Sequence, residues 1–149
     1  MKRQFGHKEV TRIFPGLKPR TLIYWSERGL VKPDFGDAEG RGSRRQYSYA
    51  NLFEIAFAEE MLSHGVTFGI IEMVMGEVRS IAKTGRFEGF FRIDRSFDVK
   101  LGGYYQDWGC TSKEQIETNV GILRTSTILI SIESIKQMID TQIEKLGLR

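Results

Sequence analysis

Five side chains in the first third of the chain have the chemistry to contact an anionic partner. Arg20 lies near the start of a candidate helix, where it can reach a phosphate or the O6 and N7 atoms of guanine, and Lys18 adds positive charge beside it. Tyr24 can donate its hydroxyl to a phosphate, and Arg44 and Arg45 can hold a flanking backbone or enter a minor groove. These residue types favour contact with nucleic acid.

The charge of the chain is concentrated at one end. Residues 1–50 contain 11 Lys and Arg and 5 Asp and Glu, a net charge of +6, whereas residues 51–149 contain 11 and 14, a net charge of −3. The formal total of +3 therefore conceals a basic first part joined to a mildly acidic remainder.

Several classes of protein are excluded by the residues that are scarce or missing. Cys110 is the only cysteine, so an intrachain disulfide and a four-thiolate zinc or iron–sulfur site are excluded, and we expect no cofactor or metal. We expect Cys110 itself to be partly buried. His7 and His64 have no ligand partners at metal-binding spacing and are interpreted as structural or surface residues. No hydrolase, nucleotide-binding or metalloprotease motif occurs, so we predict that the protein is not an enzyme.

Two short helices and a turn must position the basic residues. A helix over Lys8–Phe14 ends at Pro15-Gly16, and a second begins at Pro19 and runs to about Arg28, before Gly29. This outline is typical of a helix-turn-helix. At about 100° per residue, the second helix has two distinct faces. One face carries Arg20, Ile23, Tyr24 and Glu27, and another carries Leu22 and Trp25.

A glycine-punctuated loop and two further helices complete the first part of the chain. The loop over residues 34–45 leads into Gln46-Tyr47-Ser48 and predicts a β-hairpin or wing with a flexible tip. A third helix fits Ala50–His64, and Thr67 caps a fourth. The fourth has an apolar stripe with helical spacing, made by Ile71, Val74, Val78 and Ile81.

The remaining residues predict a small α+β region. Aromatic segments flank the turn signal Gly102-Gly103 and predict a hairpin, and Thr111 or Ser112 caps a short helix to about Asn119. A buried strand over Thr127–Ser131 then leads into a final helix over Ile132–Leu146. The apolar stripe of this helix consists of Ile132, Ile135, Ile139, Ile143 and Leu146.

Three motifs in order resemble the MerR family of bacterial transcriptional regulators. The first is Gly16-Leu17-Lys18-Pro19-Arg20-Thr21-Leu22-Ile23-Tyr24-Trp25-Ser26-Glu27-Arg28-Gly29-Leu30-Val31-Lys32-Pro33, the second Arg44-Arg45-Gln46-Tyr47-Ser48, and the third Gly65-Val66-Thr67-Phe68-Gly69-Ile70-Ile71. They are similar to the family's recognition helix, to the end of its wing and to the opening of its fourth helix. The resemblance covers about residues 5–76.

The resemblance implies a mainly α N-terminal winged helix-turn-helix with four helices and a β-hairpin wing over residues 1–76, followed by a small α+β dimerisation or effector region over residues 77–149. It also implies a cytoplasmic homodimer that binds double-stranded DNA at a palindromic operator and realigns promoter elements for RNA polymerase. Tyr47 would brace the wing stem. The DNA-binding residues carried over are Lys18, Arg20, Thr21, Tyr24, Arg44, Arg45 and Tyr47.

Three departures from the family pattern matter, and one of them is the long wing between Pro33 and Arg44, which is rich in glycine and acidic residues. Ile23 stands where the family has arginine, which leaves a contact with a thymine methyl as one substitute. Family members usually continue from the fourth helix into a long helix that pairs across a dimer, and here the aromatic segments interrupt any such helix. The terminal helix could instead cross a two-fold axis. Alternatively, its apolar stripe could only cover the sheet of its own chain.

The function of the second half is left with alternatives. Its aromatic residues could line a pocket for a small apolar or aromatic effector, or they could form the core of a small domain. The candidate effector-binding residues are Phe90, Tyr104, Tyr105 and Trp108. An effector-free DNA-bending or excisionase-like protein, or a small-molecule or protein-binding module tethered to DNA, would also fit the sequence. No apolar run has the length of a membrane span, so no membrane partner is expected.

Overall fold

The computed structural model describes residues 4–36, 44–118 and 124–148, and within these ranges it contains six helices and two small antiparallel sheets. The helices are α1 (His7–Ile13), α2 (Pro19–Glu27), α3 (Tyr49–Ser63), α4 (Phe68–Thr84), α5 (Lys113–Thr118) and α6 (Ile132–Lys145). The strands are β1 (Phe5–Gly6), β2 (Gln46–Tyr47), β3 (Phe90–Asp98), β4 (Gly103–Thr111) and β5 (Arg124–Ser131). The predicted mixture of helices and small sheets is confirmed at this level.

The chain divides into two compact units. The first unit comprises Met1–Arg86 together with Lys136–Arg149, and the second comprises Phe87–Ile135. The first unit therefore contains α1 to α4, the β1–β2 sheet and most of α6, while the three-stranded sheet and α5 belong to the second.

Helix α2 forms as the sequence predicts. Pro19 occupies its first turn, where the missing N–H is not needed for helical hydrogen bonding. The helix ends before Gly29, whose φ of +74° suits the left-handed conformation that closes many helices. The N–H of Leu30 donates to the Trp25 carbonyl at 2.9 Å and completes this end. The buried residues of α2 are Leu22 and Trp25, which the helical spacing predicts to share one face.

Helix α3 forms the centre of the first unit. It is apolar around most of its circumference, and its residues from Asn51 to Ala58 are buried. The rings of Phe53 and Phe57 lie 5.0 Å apart between centroids. The helix begins at Tyr49, one residue before the predicted start, because the Ser48 hydroxyl caps it by accepting the Asn51 N–H at 3.1 Å.

Helix α4 packs the apolar stripe that the sequence predicts, since Ile71, Val74, Val78 and Ile81 are all buried. The helix ends at Thr84 because Gly85 takes a left-handed conformation with a φ of +69°.

A small sheet lies at the base of the predicted wing. Phe5 pairs with Tyr47 and Gly6 with Gln46, and Phe35 forms an antiparallel bridge with Gln46. We use the name wing segment for residues 34–48, which begin and end at this sheet. The predicted flexible tip falls on residues 37–43, which lie outside the described residues.

The second unit is built on an antiparallel sheet with the strand order β4-β3-β5. The predicted hairpin at Gly102-Gly103 is confirmed, and the Asp98 carboxylate stabilises its turn by accepting the N–H groups of Lys100 and Leu101 at 2.8 and 3.1 Å. Strand β5 begins at Arg124, three residues before the predicted start, because it follows β3 along most of its length.

Helix α6 buries its isoleucine stripe within the single chain. Ile132, Ile135, Ile139 and Ile143 are each at most 7% exposed. The Tyr49 hydroxyl of α3 also donates to the Asp140 carboxylate of α6 at 2.8 Å. These observations favour the alternative in which the stripe is covered by its own chain. Among the described residues, no helix combines the length and hydropathy required to cross a bilayer.

Candidate nucleic-acid interface

The exposed face of α2 carries the predicted base-contacting residues. Lys18 and Arg20 are exposed at the N-terminal end of the helix, and Thr21 is half-buried beside them. Tyr24 follows one turn later with 48% of its surface exposed. Because Leu22 and Trp25 are buried, the opposite face anchors the helix in the core. The side chains of Lys18, Arg20 and Tyr24 are therefore accessible to a partner.

Arg28 joins this face through contacts that sequence reasoning missed. Its guanidinium lies 5.9 Å from the ring centroid of Tyr24 and 5.7 Å from that of Phe68, the first residue of α4. It also donates to Glu72 of α4 at 3.3 Å, and the Tyr24 and Phe68 rings are 5.8 Å apart. The sequence could have predicted the contact between Tyr24 and Arg28, since a spacing of four residues places both on one helical face. These contacts fix the position of the Tyr24 ring.

The two arginines at the end of the wing segment differ in accessibility. Arg44 is exposed, whereas the side chain of Arg45 is only 19% exposed and pairs with Glu27 of α2 at 3.6 Å. The buried Nε of Arg45 has no hydrogen-bond partner among the residues that the structure describes. Burial, with a smaller contribution from the Arg45 charge, lowers the pKa of His7 at the start of α1. Arg45 therefore links the wing base to α2, and Arg44 is the more accessible of the pair.

Tyr47 is fully buried and cannot itself touch DNA, which corrects its place among the predicted contact residues. Its hydroxyl lies 3.2 Å from the Ser26 hydroxyl of α2, and Ser26 in turn donates to the Leu22 carbonyl at 3.0 Å. Because Ser26 has one hydroxyl proton, Tyr47 is the donor in the first of these bonds. The expected role of Tyr47 is to brace the wing stem, and its hydroxyl makes the corresponding contact with α2.

Asn51 holds the two ends of the wing segment together. Its side-chain oxygen accepts the N–H groups of Asp34 and Ser48 at 2.9 and 3.0 Å, and its amide donates to the Lys32 carbonyl at 2.9 Å. The Ser48 hydroxyl also donates to the Asp34 carboxylate at 2.5 Å. Asn51 is 1% exposed, so its side chain bonds to the backbone at both ends of the wing segment instead of to water.

A buried ion pair connects this arrangement to α4. The Arg79 guanidinium donates to the Glu54 carboxylate at 2.8 Å and to the Leu30 carbonyl at 3.3 Å. Glu54 also accepts from the Asn51 amide at 3.4 Å. Burial raises the pKa of Glu54, and the neighbouring Arg79 opposes that shift. The polar network therefore runs from α4 through α3 to the wing base.

The four candidate effector-binding residues do not share one surface of the sheet. Cross-strand partners lie on the same face of an antiparallel sheet, and Phe90 pairs with Thr111. Phe90 and Tyr105 therefore occupy one face, while Tyr104 and Trp108 occupy the other. Tyr104 and Tyr105 are about half exposed. Any effector site would use one of these pairs and not all four residues.

A buried polar cluster occupies the same sheet. Asp94 is 2% exposed, is paired with Arg92 and accepts from the Thr127 hydroxyl at 2.7 Å. Arg92 also bonds to Asp107 at 3.2 Å. Asp94 and Asp107 are therefore structural charges within the sheet. Cys110 is exposed on β4, which corrects the expectation of partial burial: among the strands that the structure describes, β4 has a neighbour on one side only. Within the described ranges, no group of three or more potential metal ligands is found.

Comparison with known proteins places this geometry in a family. The family model described as MerR HTH family regulatory protein matches residues 6–77, just under half of the chain. Residues 6–77 are similar to the MerR helix-turn-helix family. This MerR region comprises α1 to α3, the wing segment and the first part of α4.

Individual relatives are similar to part of the chain. Uncharacterized HTH-type transcriptional regulators of Mycobacterium bovis and Mycobacterium tuberculosis are 30% identical to it over 64 residues. These 64 residues are 43% of this chain and 28% of each relative. The match therefore spans less than a third of each relative's length.

Proposed function

We propose that the protein is a sequence-specific, DNA-binding transcriptional regulator of MerR type that acts as a homodimer on a palindromic operator. The observation that carries the proposal is the exposed face of α2, where Lys18, Arg20 and Tyr24 stand on a helix anchored by buried residues. The similarity of residues 6–77 to regulatory proteins supports it. In this proposal, α1 to α4 and the wing segment form a winged helix-turn-helix.

Each exposed residue has a distinct task in the proposed complex. Arg20 reads a guanine edge in the major groove, because bidentate contact with O6 and N7 suits its guanidinium. Lys18 and Tyr24 contact phosphates that fix the register of the helix, with Thr21 beside them. Arg44 contacts the flanking backbone from the wing. Arg45 and Tyr47 act indirectly, since they hold the wing base against α2.

The second half of the chain serves dimerisation and regulation in this proposal. We assign residues 1–76 to DNA binding and residues 77–149 to the α+β dimerisation or effector region. A dimer on badly phased promoter elements would realign them for RNA polymerase in the cytoplasm. A small apolar or aromatic effector would bind beside one of the exposed aromatic pairs of the sheet, and the half-exposed Tyr104 is the most accessible starting point.

Selection of bound DNA from a random pool tests the proposal. We expect a two-fold symmetric site, because a symmetric dimer places its two reading helices on matching half-sites. On that site, Arg20→Ala should lose about 1–3 kcal/mol of binding free energy and relax the preference at one base pair. Arg44→Ala should weaken binding evenly across sequences and reduce the salt slope by about 1. Arg45→Ala should have the same even effect, through the position of the wing.

Arg86→Ala is the matched control, since it removes the same charge from an exposed position outside the MerR region. Unchanged affinity and salt slope in both the Arg20 and the Arg44 variants would refute the DNA-binding assignment. A response of DNA bending to candidate ligands would separate the regulator from an effector-free architectural protein. Ligand binding without any selected DNA site would favour the tethered binding module.

A further inference from the structure

Strand β4 is an edge strand without the usual protection against pairing. Among the described strands it pairs with β3 only, along its whole length of nine residues. None of those residues is buried, and Asp107 is the single charged one. Natural sheets protect long edge strands with lysine, proline, bulges or a covering segment. The sequence of β4 contains no lysine and no proline, so its edge is suited to receive another strand.

A second copy of the same strand is the partner that this edge fits best. Pairing of β4 with β4 of another copy is isologous, so a two-fold axis closes the assembly at two chains. Pairing of β4 with the opposite edge, β5, would leave a new edge on every added copy and would generate an open chain of molecules. Since β4 carries one charge in nine residues, few like charges oppose its pairing with itself.

The side chains of β4 disfavour one register for this pairing and favour another. In the register with Asp107 on the axis, two carboxylates would face each other directly, which is unfavourable. A shift that places Gln106 on the axis removes this repulsion and sets two amides opposite each other. Tyr104 then lies opposite Trp108 of the second copy, and symmetry repeats that pair. Tyr104 and Trp108 share one face of β4, as direct cross-strand partners must.

We propose that two copies of the protein pair through β4 in antiparallel orientation with Gln106 on the two-fold axis. The resulting continuous sheet has three strands from each copy. The exposed aromatic side chains of β4 gain cross-strand neighbours in this arrangement, and its backbone edge gains hydrogen bonds. This inference rests on the proposed homodimer, for which it supplies the interface.

Disulfide trapping in the full-length chain tests the register. Gln106→Cys is made in a Cys110→Ser background, so that the only thiol lies on the proposed axis. Directly opposed residues have Cα atoms about 4.5–5.5 Å apart, within the range that a disulfide spans. Mild copper-catalysed oxidation should therefore produce a covalent dimer. Absence of this dimer, at protein concentrations where the chain sediments as a dimer, would overturn the proposal.

Val99→Cys in the same background is the matched control. Val99 is 78% exposed on the tip of the same hairpin, so its thiol is fully accessible to the oxidant. In the proposed register, the two copies of this residue would lie about 45 Å apart. It should give no covalent dimer. Equal trapping at residues 99 and 106 would mean random collision and would overturn the proposal.

Charge substitution gives a second measurement that does not depend on trapping. Gln106→Lys places two lysines opposite each other on the axis and should weaken dimerisation by about fivefold to tenfold in sedimentation equilibrium. Val99→Lys adds the same charge to the hairpin tip and should leave the dimer constant unchanged. A dimer constant that is unchanged by Gln106→Lys would overturn the β4 interface.

The outcomes separate this inference from the proposed function. A chain that is trapped at residue 106 but selects no DNA would support the β4 pairing and refute the function. A chain that binds a palindromic site as a dimer, but is not trapped at residue 106, would support the function and overturn the β4 pairing. Arg20→Ala should relax the preference at one base pair while leaving trapping at residue 106 unchanged.

Discussion

Removal of the Asn51 side chain should loosen the wing base and lower the stability of the first unit. Asn51→Ala deletes one acceptor of two N–H groups, from Asp34 and Ser48, and one donor to the Lys32 carbonyl. Each partner left without a hydrogen bond costs about 1–3 kcal/mol when it stays buried. Asp34, Ser48 and Lys32 are only partly buried at these bonds, so the lower end applies to each. Glu54 also loses its 3.4 Å bond to the Asn51 amide but keeps the one from Arg79. The expected loss in the free energy of unfolding is about 3 kcal/mol.

Urea unfolding followed by tryptophan fluorescence measures this loss, because Trp25 is buried in the same unit and will report its opening. Gln137→Ala is a suitable control, since it removes an exposed amide from α6 and should change the stability by less than about 0.5 kcal/mol. Asn51→Ala should also weaken DNA binding while the preference for the base read by Arg20 persists, because only the wing is released. A stability loss below about 1 kcal/mol would contradict the assigned role of Asn51.

Two further predictions concern the junction of the wing segment with α1 and α2. The lowered pKa of His7 means that the folded protein favours its neutral form, so this contribution to stability is complete above the ordinary value of 6.5 and declines as the pH falls below it. The urea midpoint of His7→Gln should therefore fall less between about pH 7.5 and about pH 5.5 than that of the unmodified protein. The same fall in both proteins would contradict this role of His7. Tyr47→Phe removes the hydrogen bond to Ser26 and should cost about 0.5–1.5 kcal/mol of unfolding free energy. Tyr24→Phe, at an exposed hydroxyl, should instead reduce DNA affinity and leave the urea midpoint unchanged, and the reverse pattern would refute both assignments.

Local sequence signals were sufficient to predict most helices and the division of faces on α2. Pro19 and Gly29 mark the two ends of that helix because their backbone preferences act within one turn. The stripe from Ile71 to Ile81 likewise identifies the buried face of α4, since apolar periodicity depends only on helix geometry. The same reasoning correctly predicted the exposure of Arg20 and Tyr24.

Contacts between distant residues were not predictable in this way. Asn51 is separated from Lys32 by 19 residues and Glu54 from Arg79 by 25, and no periodicity signals either contact. The aromatic residues divide between the two faces of the sheet according to the register of the strands, and the number of aromatic residues in a segment does not reveal that register. The ion pair between Arg45 and Glu27 likewise joins residues from different parts of the chain, which no local pattern signals.

Polar contacts attach the base of the wing segment to α2. Tyr47 bonds to Ser26 of α2, Arg45 pairs with Glu27, and Asn51 closes the base between them. These contacts hold the described base of the wing segment against α2. In the proposed complex the DNA must therefore adapt to the protein, so flexible base steps between the helix site and the wing site should favour binding even where no side chain touches them.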